Sequence, residues 1–393
     1  MKTIGIICEY NPFHLGHLGH IEKTKEIIDE DACVICVMSG NFVQRGDFAI
    51  LNKHARAKMA VLCGADIVIE LPTPYALLSA GGFAKAGVYL LESLGVCDYI
   101  SFGSESGDIE TLTNAANVIK SDEAESYIKD GLSEGLSYAA AQQRAADAIL
   151  GEKSFIFNTP NNLLAIEYIK ALDEIGAKMK PLTVQRTGGA HDSDTGYSAT
   201  ALRKTLIRGE VPIAQMPGAA VAVCLEEIVL GRGAISMADA EPAILSRLRN
   251  IESFTNLPGA TDGLDRRFLK YAKVMPSVNS ILESIKTKRF AMSRIRRMMM
   301  CAVLGITSDD IKNMPAYIRI LAMSKKGMTT LRRISKTAAL PVITKPASVF
   351  KQNKQVERAF KLEAAATDFY ALFYAKEENR LGGGEWRQSP III

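Results

Sequence analysis

Short apolar runs alternate with segments of helical periodicity over the first half of the chain, and this alternation constrains the fold most strongly. Strands that alternate with helices of about ten to fifteen residues are typical of βαβ units and a mostly parallel sheet. Such sheets bind ligands beyond the carboxyl ends of their strands. We therefore predict an α/β fold with strands at residues 3–8, 32–38, 66–71, 99–102 and 181–185, and helices at 17–30, 53–63, 80–94 and 163–172.

A change in pattern follows near residue 209. Residues 209–218 contain Pro212 and Pro217 between two glycines, and beyond them the strand signal nearly vanishes. We therefore predict two domains, a catalytic domain at residues 1–208 and a mainly helical domain with a C-terminal tail at residues 209–393. The helices predicted in the second domain lie at 243–254, 266–274, 281–303 and 359–375.

Charge is concentrated in the second domain. The whole chain has a net charge of +4, yet residues 281–360 contain 17 Lys and Arg against 4 Asp and Glu. A solvated helix face usually mixes both signs, whereas one sign over eighty residues is the pattern expected for contact with a phosphate backbone. We predict an RNA-binding surface made by Lys286, Lys288, Arg289, Arg294, Arg296, Arg297, Lys325, Lys326, Arg332 and Arg333.

Several classes of protein are excluded at this stage. The longest uncharged run has 15 residues, whereas a membrane-spanning helix needs about 20 apolar ones. The apolar start is too short for a signal peptide, so we expect a cytoplasmic protein without a membrane partner. The seven cysteines are an odd number spread thinly over a large chain, so they imply no disulfide framework. Cys33 and Cys36 form a C-x-x-C pair, but they lie within one apolar strand and point to opposite faces, which argues against redox or metal use.

The most informative segment is Glu-Tyr-Asn-Pro-Phe-His-Leu-Gly-His, residues 9–17, directly after the first strand. A strand, a tight turn and a helix start aim backbone N–H groups and the positive end of a helix dipole at a phosphate. His14 and His17 can donate hydrogen bonds to that phosphate as charge develops in a transition state. The alternative is that both histidines only cap and pack the helix.

His20 lies one helical turn after His17. A zinc site would need three or four ligands, and the remaining histidines, His54 and His191, lack ligand spacing. We therefore predict no protein metal site and leave His20 with two roles, a flank of the nucleotide pocket or a packing residue.

Residues 11–17 resemble the H-x-G-H signature of the nucleotidylyltransferase superfamily, whose members bind ATP and attack its α-phosphate. The longer run 9–20, together with Met-Ser-Gly-Asn-Phe-Val-Gln-Arg-Gly at 38–46, resembles the bacterial tRNA(Met) cytidine acetate ligase family. Further matches are the segments 69–72, 102–105 and 160–163. The resemblance covers the first 205 residues in order and the basic remainder more loosely.

The resemblance implies a Rossmann-like nucleotidylyltransferase domain with ATP at the carboxyl edge of the sheet. Catalytic roles fall to His14, His17 and Arg203. Asn162 is preferred over Asn161, either of which can also cap a helix, and Gly103 is alternatively a plain turn glycine. The ATP-binding residues that we predict are Ile7, Cys8, Glu9, Tyr10, Asn11, Pro12, Phe13, His14, Gly16, His17, His20, Gly103, Asn162, Arg186, Ser198 and Thr200.

The segment 197–203 is similar to the second signature of the superfamily, a Ser/Thr-rich helix start that ends in arginine. Ser198 or Thr200 can cap this helix while its unpaired N–H groups meet the β- and γ-phosphates, which Arg203 neutralises. The alternative is an ordinary capped helix with a solvated arginine. Mg²⁺ is expected to be held through the phosphates, with Glu9, Asp66, Glu70 and Glu105 as carboxylates within reach.

The loop after the second predicted strand is rich in hydrogen-bond donors. It follows the carboxyl end of that strand, and the planar guanidinium of its arginine suits a carboxylate or phosphate. We predict that it lies near acetate or the target cytidine, without deciding which, and the alternative is a surface loop. The residues concerned are Ser39, Gly40, Asn41, Gln44 and Arg45.

The family resemblance thus implies an ATP-dependent acetate ligase. Acetate would attack ATP to give acetyl-adenylate, and the wobble cytidine C34 of elongator tRNA(Met) would then become N4-acetylcytidine. A small-molecule adenylyltransferase is the alternative, but it leaves the basic segment unexplained. A catalytically idle RNA-binding protein leaves the placement of the histidine motif unexplained.

Overall fold

The computed structural model describes residues 1–186 and 199–393, and its centre is an eight-stranded sheet. Most of its strands are buried on both faces, as their continuous apolar sequences require. The strands are β1 (Thr3–Cys8), β2 (Cys33–Ser39), β3 (Phe42–Val43), β4 (Asp47–Phe48), β5 (Ile67–Leu71), β6 (Tyr99–Ser104), β7 (Lys180–Gln185), β8 (Ile318–Met323), β9 (Val342–Ile343) and β10 (Ile391–Ile392).

Helices cover both faces of the sheet and make up most of the chain after β7. They are α1 (Leu15–Ile28), α2 (Lys53–Leu62), α3 (Thr73–Ala76), α4 (Ala80–Ser93), α5 (Ile109–Ile119), α6 (Asp122–Ser133), α7 (Tyr138–Leu150), α8 (Pro160–Ile175), α9 (Ala199–Ile207), α10 (Gly218–Val229), α11 (Glu241–Asn250), α12 (Leu264–Ala272), α13 (Val278–Ile285), α14 (Met292–Leu304), α15 (Lys325–Thr337), α16 (Lys354–Ala371) and α17 (Gly384–Arg387).

The strand order places a binding crevice beside β1. The order is β10-β8-β5-β2-β1-β6-β7, and the five strands from β5 to β7 are parallel. From β1 the chain moves to β2 and β5 on one side, then crosses to β6 and β7 on the other. The connections therefore diverge between β1 and β6, which is where open α/β sheets bind ligands. The predicted α/β class with a mainly helical second part is confirmed.

The expectation that strands nearly vanish after residue 209 is wrong. Strand β8 pairs antiparallel with β5, and the C-terminal β10 pairs parallel with β8. Arg319 interrupts the apolar run of β8, so its pattern does not indicate a buried strand, yet its side chain is fully buried against Glu385. The division into two domains at residue 208 stays a prediction. The later part of the chain contributes β8 and β10 to the sheet of the earlier part, so the two parts share this sheet.

The loop that follows β2, residues 39–47, shares a hydrophobic core with the helices of the later part of the chain. We call this segment the crevice loop. Strands β3 and β4 form a hairpin whose Phe42 and Phe48 pack with α11, α12, α13, α14 and α16. The hydroxyl of Tyr370 on α16 donates to the Ala49 carbonyl at 2.8 Å. The hairpin therefore fixes the loop after β2 against the helices. Among the described residues no helix is long and apolar enough to cross a membrane.

Candidate active site

The two histidines after β1 lie in a tight turn at the carboxyl edge of the sheet. His14 is the N-cap of α1, and its Nδ1 accepts from the Gly16 N–H at 3.1 Å, while Nδ1 of His17 accepts from the His14 N–H at 3.3 Å. The two rings stack with centroids 3.7 Å apart. An accepting Nδ1 places the proton of a neutral imidazole on Nε2. Both rings are thus set as Nε2–H donors, so capping the helix and contacting a phosphate are compatible roles.

Buried side chains support the turn from below. Tyr10 and Phe13 are almost fully buried and make ring contacts with His17 at 4.8 and 5.5 Å. The Oδ1 of Asn11 accepts from the Ile50 N–H at 2.7 Å. These side chains therefore hold the turn in place.

Arg203 joins the second signature to the histidine turn. Its guanidinium donates to the Asn11 carbonyl at 2.9 Å and to the Thr200 hydroxyl at 3.0 Å. The two motifs therefore meet at the same edge of the sheet, as an ATP site spanning both would require. Ser198 and His191 lie outside the described residues.

His20 lies on α1, and its side chain contacts β6 at the divergence of the connections. Its Nε2 lies 3.0 Å from the Ser101 hydroxyl. Burial, with a smaller effect of the Arg186 charge, lowers the pKa of His20 to about 4. The ring is therefore neutral at pH 7. It also lies close enough to Arg186, another predicted ATP-binding residue, for the arginine charge to lower its pKa.

The loop after β6 is held by paired asparagines. Oδ1 of Asn162 accepts from the N–H groups of Glu105 and Ser106 at 3.0 and 3.1 Å. Asn161 donates to Glu105 at 2.6 Å and accepts from Arg186 at 3.4 Å. Burial alone would raise the pKa of Glu105, but the hydrogen bonds that its carboxylate accepts from the Asn161 side chain and the Asn162 N–H lower it below its usual range. Asn162, the preferred ATP contact, thus positions the loop, while Asn161 contacts the arginine.

Gly103 lies at the end of β6 beside the same arginine. A Cβ atom at this position would approach Cγ of Arg186 to 3.1 Å. The absence of a side chain at Gly103 therefore leaves room for the side chain of Arg186 beside β6.

The loop after β2 is fastened to the end of β1 by Glu9. Its Oε1 accepts from the Gln44 N–H at 2.7 Å and from the Ser39 hydroxyl at 3.4 Å. Asn41 is buried and its Oδ1 accepts from the Lys53 N–H at 2.8 Å, whereas Arg45 is exposed. Gly40 lies where a Cβ would approach Glu70 Oε1 to 2.8 Å. The predicted substrate residues thus follow the carboxyl end of β2 and range from buried Ser39, Gly40 and Asn41 to exposed Arg45.

A residue that the sequence analysis missed organises this edge. Arg56 is fully buried on α2 and donates to the carbonyls of Leu51 at 2.9 Å, Glu9 at 2.5 Å, Ser39 at 3.0 Å and Gly40. Burial lowers the pKa of Arg56, yet a guanidinium remains charged at neutral pH. One side chain therefore ties together the ends of β1 and β2. In the sequence, Arg56 lies one helical turn before the apolar Met59 and Ala60. This spacing was the signal that could have placed it on the buried face of α2.

Comparisons with known proteins agree with this geometry over the whole chain. A family model described as HIGH Nucleotidyl Transferase matches residues 1–384. A tRNA(Met) cytidine acetate ligase of Acetivibrio thermocellus is 38% identical, with 100% of both chains covered. The chain belongs to the tRNA(Met) cytidine acetate ligase family. The resemblance drawn from the motifs is therefore confirmed.

Solved structures of the family match equally well. The crystal structure of Thermotoga maritima TmcAL in its apo form has a TM-score of 0.95 at 33% identity, with 100% of both chains covered. The structure of that protein bound with alpha-thio ATP has a TM-score of 0.93 at 34% identity and the same coverage. The ligase fold thus extends through the basic C-terminal part of this chain.

A buried cluster of charges lies beneath the crevice loop. Nζ of Lys53 contacts Glu70 at 2.6 Å, Glu385 at 2.7 Å and Glu363 at 3.2 Å, and Arg319 contacts Glu385 at 3.0 Å. All five side chains are almost completely buried. The cluster joins α2 and β5 to β8, α16 and α17, so the two parts of the chain meet below the site.

Two of the carboxylates named for Mg²⁺ do not fit that role. Asp66 precedes β5 at the opposite, amino edge of the sheet, where it accepts from the Val34 N–H at 3.0 Å and the Ser324 hydroxyl at 3.0 Å. Glu70 belongs to the buried charge cluster. Glu9 and Glu105 remain at the carboxyl edge. The described residues contain no cluster of three or more His, Cys, Asp or Glu that could hold a metal.

The basic residues of α14 lie against the crevice loop. Arg296 contacts Asp47 at 3.6 Å, and Arg297 donates to the Gln44 carbonyl at 3.5 Å. Burial lowers the pKa of Arg297 to about 10. Gly46 has φ +73°, and a Cβ there would approach that of Arg296 to 2.8 Å. This helix therefore meets the loop backbone directly, and Arg296 and Arg297 contact the loop after β2.

The other predicted RNA-binding residues are distributed over two surfaces. Lys286 and Lys288 are exposed before α14, whereas Arg289 and Arg294 pair with Asp262 at 2.7 and 3.1 Å. Helix α15 carries Lys325, Lys326, Arg332 and Arg333, and it begins at the amino edge of the sheet. There Lys326 donates to the Ala32 carbonyl, directly before β2, at 3.1 Å. The basic segment is thus split between the two edges of the sheet.

Proposed function

We propose that the chain is an ATP-dependent tRNA(Met) cytidine acetate ligase. The observation that carries this proposal is the H-x-G-H turn at the divergence between β1 and β6, in a chain that matches the ligases from end to end. ATP would lie along this crevice with its α-phosphate at the Nε2–H groups of His14 and His17. The β- and γ-phosphates would lie at the start of α9, near Arg203.

The first step is the activation of acetate. A carboxylate oxygen of acetate attacks the α-phosphorus in line, the bond to the bridging oxygen breaks, and acetyl-adenylate and pyrophosphate form. No protein nucleophile is needed, because positioning and charge neutralisation carry phosphoryl transfer. Each imidazole donor aimed at the developing charge would contribute about 3 kcal/mol.

The second step transfers the acetyl group to RNA. The exocyclic N4 amine of the wobble cytidine C34 attacks the acetyl carbon, AMP leaves with the bonding electrons, and the amine loses a proton. The base must be unstacked to reach the crevice, which suits an anticodon-loop nucleotide of elongator tRNA(Met). The loop Ser39–Arg45 borders the place where acetate and cytidine meet, and the exposed Lys286 and Lys288 lie on the helix α14 side of that loop.

Mg²⁺ would be held mainly through the phosphates of ATP and water, since it needs only one or two protein carboxylates. Glu9 is the carboxylate beside the histidine turn and fits that role, whereas both oxygens of Glu105 bind the loop asparagines. When bound, the ion would neutralise charge on the leaving pyrophosphate. We place the protein in the cytoplasm, where ATP and tRNA occur.

One experiment tests the proposal against a small-molecule adenylyltransferase. ATP–pyrophosphate exchange is measured with and without acetate, and N4-acetylcytidine is then quantified in added elongator tRNA(Met). Acetate-dependent exchange with acetylated tRNA supports the ligase. Exchange that ignores acetate and requires a phosphorylated metabolite supports the adenylyltransferase, and the absence of exchange refutes both.

A further inference from the structure

A series of aromatic rings runs from the core to the surface beside the last helix. Phe350, in the 3₁₀ helix Pro346–Lys351, stacks on Trp386 of α17 with centroids 5.1 Å apart and an interplanar angle of 10°. Trp386 contacts Phe360 at 4.7 Å, and Phe360 contacts Tyr317 at 5.8 Å. The last two rings are fully buried, whereas Phe350 is 61% exposed. Buried rings therefore hold the exposed ring in place.

This arrangement differs from that of another exposed phenylalanine. Phe155 is 62% exposed, and no ring contact involves it in the part of the chain that the structure describes. Phe350 instead presents one face to solvent while its other face lies on tryptophan. Such a ring is pre-oriented for stacking, because little side-chain freedom remains to be lost when a partner binds.

The surroundings of Phe350 are positively charged. Residues 344–356 contain Lys345, Lys351 and Lys354 and no acidic residue. All three lysines are exposed, and none forms an ion pair within residues 1–186 and 199–393. A positive surface with an exposed aromatic ring is how proteins bind single-stranded nucleic acid, since every base offers a π face and its backbone offers phosphates. The centre of a protein–protein interface is instead depleted in lysine, so three lysines around one exposed ring favour a nucleic-acid partner.

We propose that Phe350 is a stacking platform for an unpaired base of the tRNA, and that the neighbouring lysines contact the flanking phosphates. The proposal rests on the proposed function, which supplies the RNA. The 3₁₀ helix follows β9, which pairs with the first residues of β8, and β8 lies three strands from β1. β9 therefore lies up to four strand spacings, about 19 Å, from β1, a distance that one RNA can span between the crevice and this platform.

The first test compares tRNA affinities of the full-length protein and its variants. Phe350→Leu keeps an apolar cover on the tryptophan but removes the π face, and it should weaken elongator tRNA(Met) binding at least about fivefold. Its salt dependence should stay unchanged, whereas Lys351→Gln should reduce the slope of log K against log salt by about 0.7. Phe350→Tyr should bind like the wild type, and Phe155→Leu is the matched control with no expected change.

The second test uses the single tryptophan of the chain as a probe. A short oligocytidylate should change the fluorescence of Trp386 in the wild type and not in Phe350→Leu. Equal tRNA affinities of the wild type and Phe350→Leu at all salt concentrations, or an unresponsive tryptophan, would overturn the platform. The platform would also be overturned if Phe350→Leu weakened the binding of a protein partner and left the binding of tRNA unchanged.

Acetate-dependent exchange and tRNA acetylation by the wild type are measured separately. Their absence refutes the proposed function, whereas the binding data alone decide the platform. Phe350→Leu should retain acetate-dependent exchange, which also shows that the variant is folded.

Discussion

Burial lowers the pKa of His54, whose ring lies 3.9 Å from Glu385, so we count this histidine as neutral. The buried charge cluster is then uncharged overall only if one carboxyl holds a proton, and we predict that this carboxyl is Glu70. Lys53 and Arg319 provide two positive charges against the carboxyls of Glu70, Glu363 and Glu385. Burial and then the Glu363 charge raise the pKa of Glu70 well above its usual value, although Lys53 opposes this. Burial would also raise the pKa of Glu385, but Lys53 holds it well below its usual range. The Oε2 atom of Glu70 has no hydrogen-bond partner among the described residues, so the proton fits there.

Replacing Glu70 with glutamine tests this assignment through the pH dependence of stability. In the unfolded chain the glutamate loses its proton near pH 4.3, whereas the folded protein retains it, so folding takes up a proton above that pH. The free energy of unfolding of the wild type should therefore fall by up to about 1.4 kcal/mol per pH unit from this group. Glu70→Gln lacks this contribution. Between pH 5 and pH 7 the stability difference should therefore shift in favour of the variant, by up to about 1.4 kcal/mol for each pH unit over which the folded group stays protonated.

Urea unfolding of both proteins at pH 5, 6 and 7, followed by far-ultraviolet circular dichroism, measures this shift. Glu385→Gln is the matched control, because it removes a charge that Lys53 and Arg319 both contact and should destabilise the protein by about 3–5 kcal/mol at pH 7. A stability difference between the wild type and Glu70→Gln that does not change with pH would show that Glu70 is ionised, and would refute the reasoning.

Three further predictions concern the site. His17→Ala should lower acetate-dependent ATP–pyrophosphate exchange by about 10²–10³-fold through loss of its Nε2–H donor while tRNA affinity in a filter-binding assay stays near wild type; equal loss of both would contradict this. Lys288→Gln, on the crevice side, should raise the KM for tRNA more than Arg333→Gln on α15, because the latter helix begins at the opposite edge of the sheet; the reverse order in acetylation kinetics would contradict this placement. Arg56→Lys keeps a charge but loses the planar fork that binds several carbonyls, so exchange should fall at least about tenfold with a proportionate fall in kcat; an unchanged kcat in that assay would exclude a positioning role.

The histidine motif and the strands around it were predictable because their signals are local. A strand, a turn with H-x-G-H and a helix start occupy consecutive residues, and an apolar run such as residues 32–38 is typical of a strand buried on both faces. The meeting of Arg203 with the turn follows from the family signature, since 192 residues separate it from Asn11.

The features that were missed depend on partners far away in the chain. Strand β8 contains Arg319, whose carboxylate partner Glu385 lies 66 residues later, so the strand does not read as buried from its own sequence. The helix predicted over 281–303 is two helices, α13 and α14. They are separated by residues 286–291, which contain neither glycine nor proline and place Phe290 in the core. Tertiary packing decides that break, and no local signal marks it.

The loop after β2 is held from both parts of the chain, and this has a consequence for the proposed reaction. Arg56 and Glu9 hold its backbone from the sheet side. Gly46 packs on α14, where a side chain would clash, and Asp47 pairs with Arg296 of that helix. RNA bound at α14 would therefore change the electrostatic surroundings of the same loop that borders acetate. Because interactions made only when RNA is bound can favour the transition state of acetyl transfer, we expect this contact to link tRNA binding to catalysis.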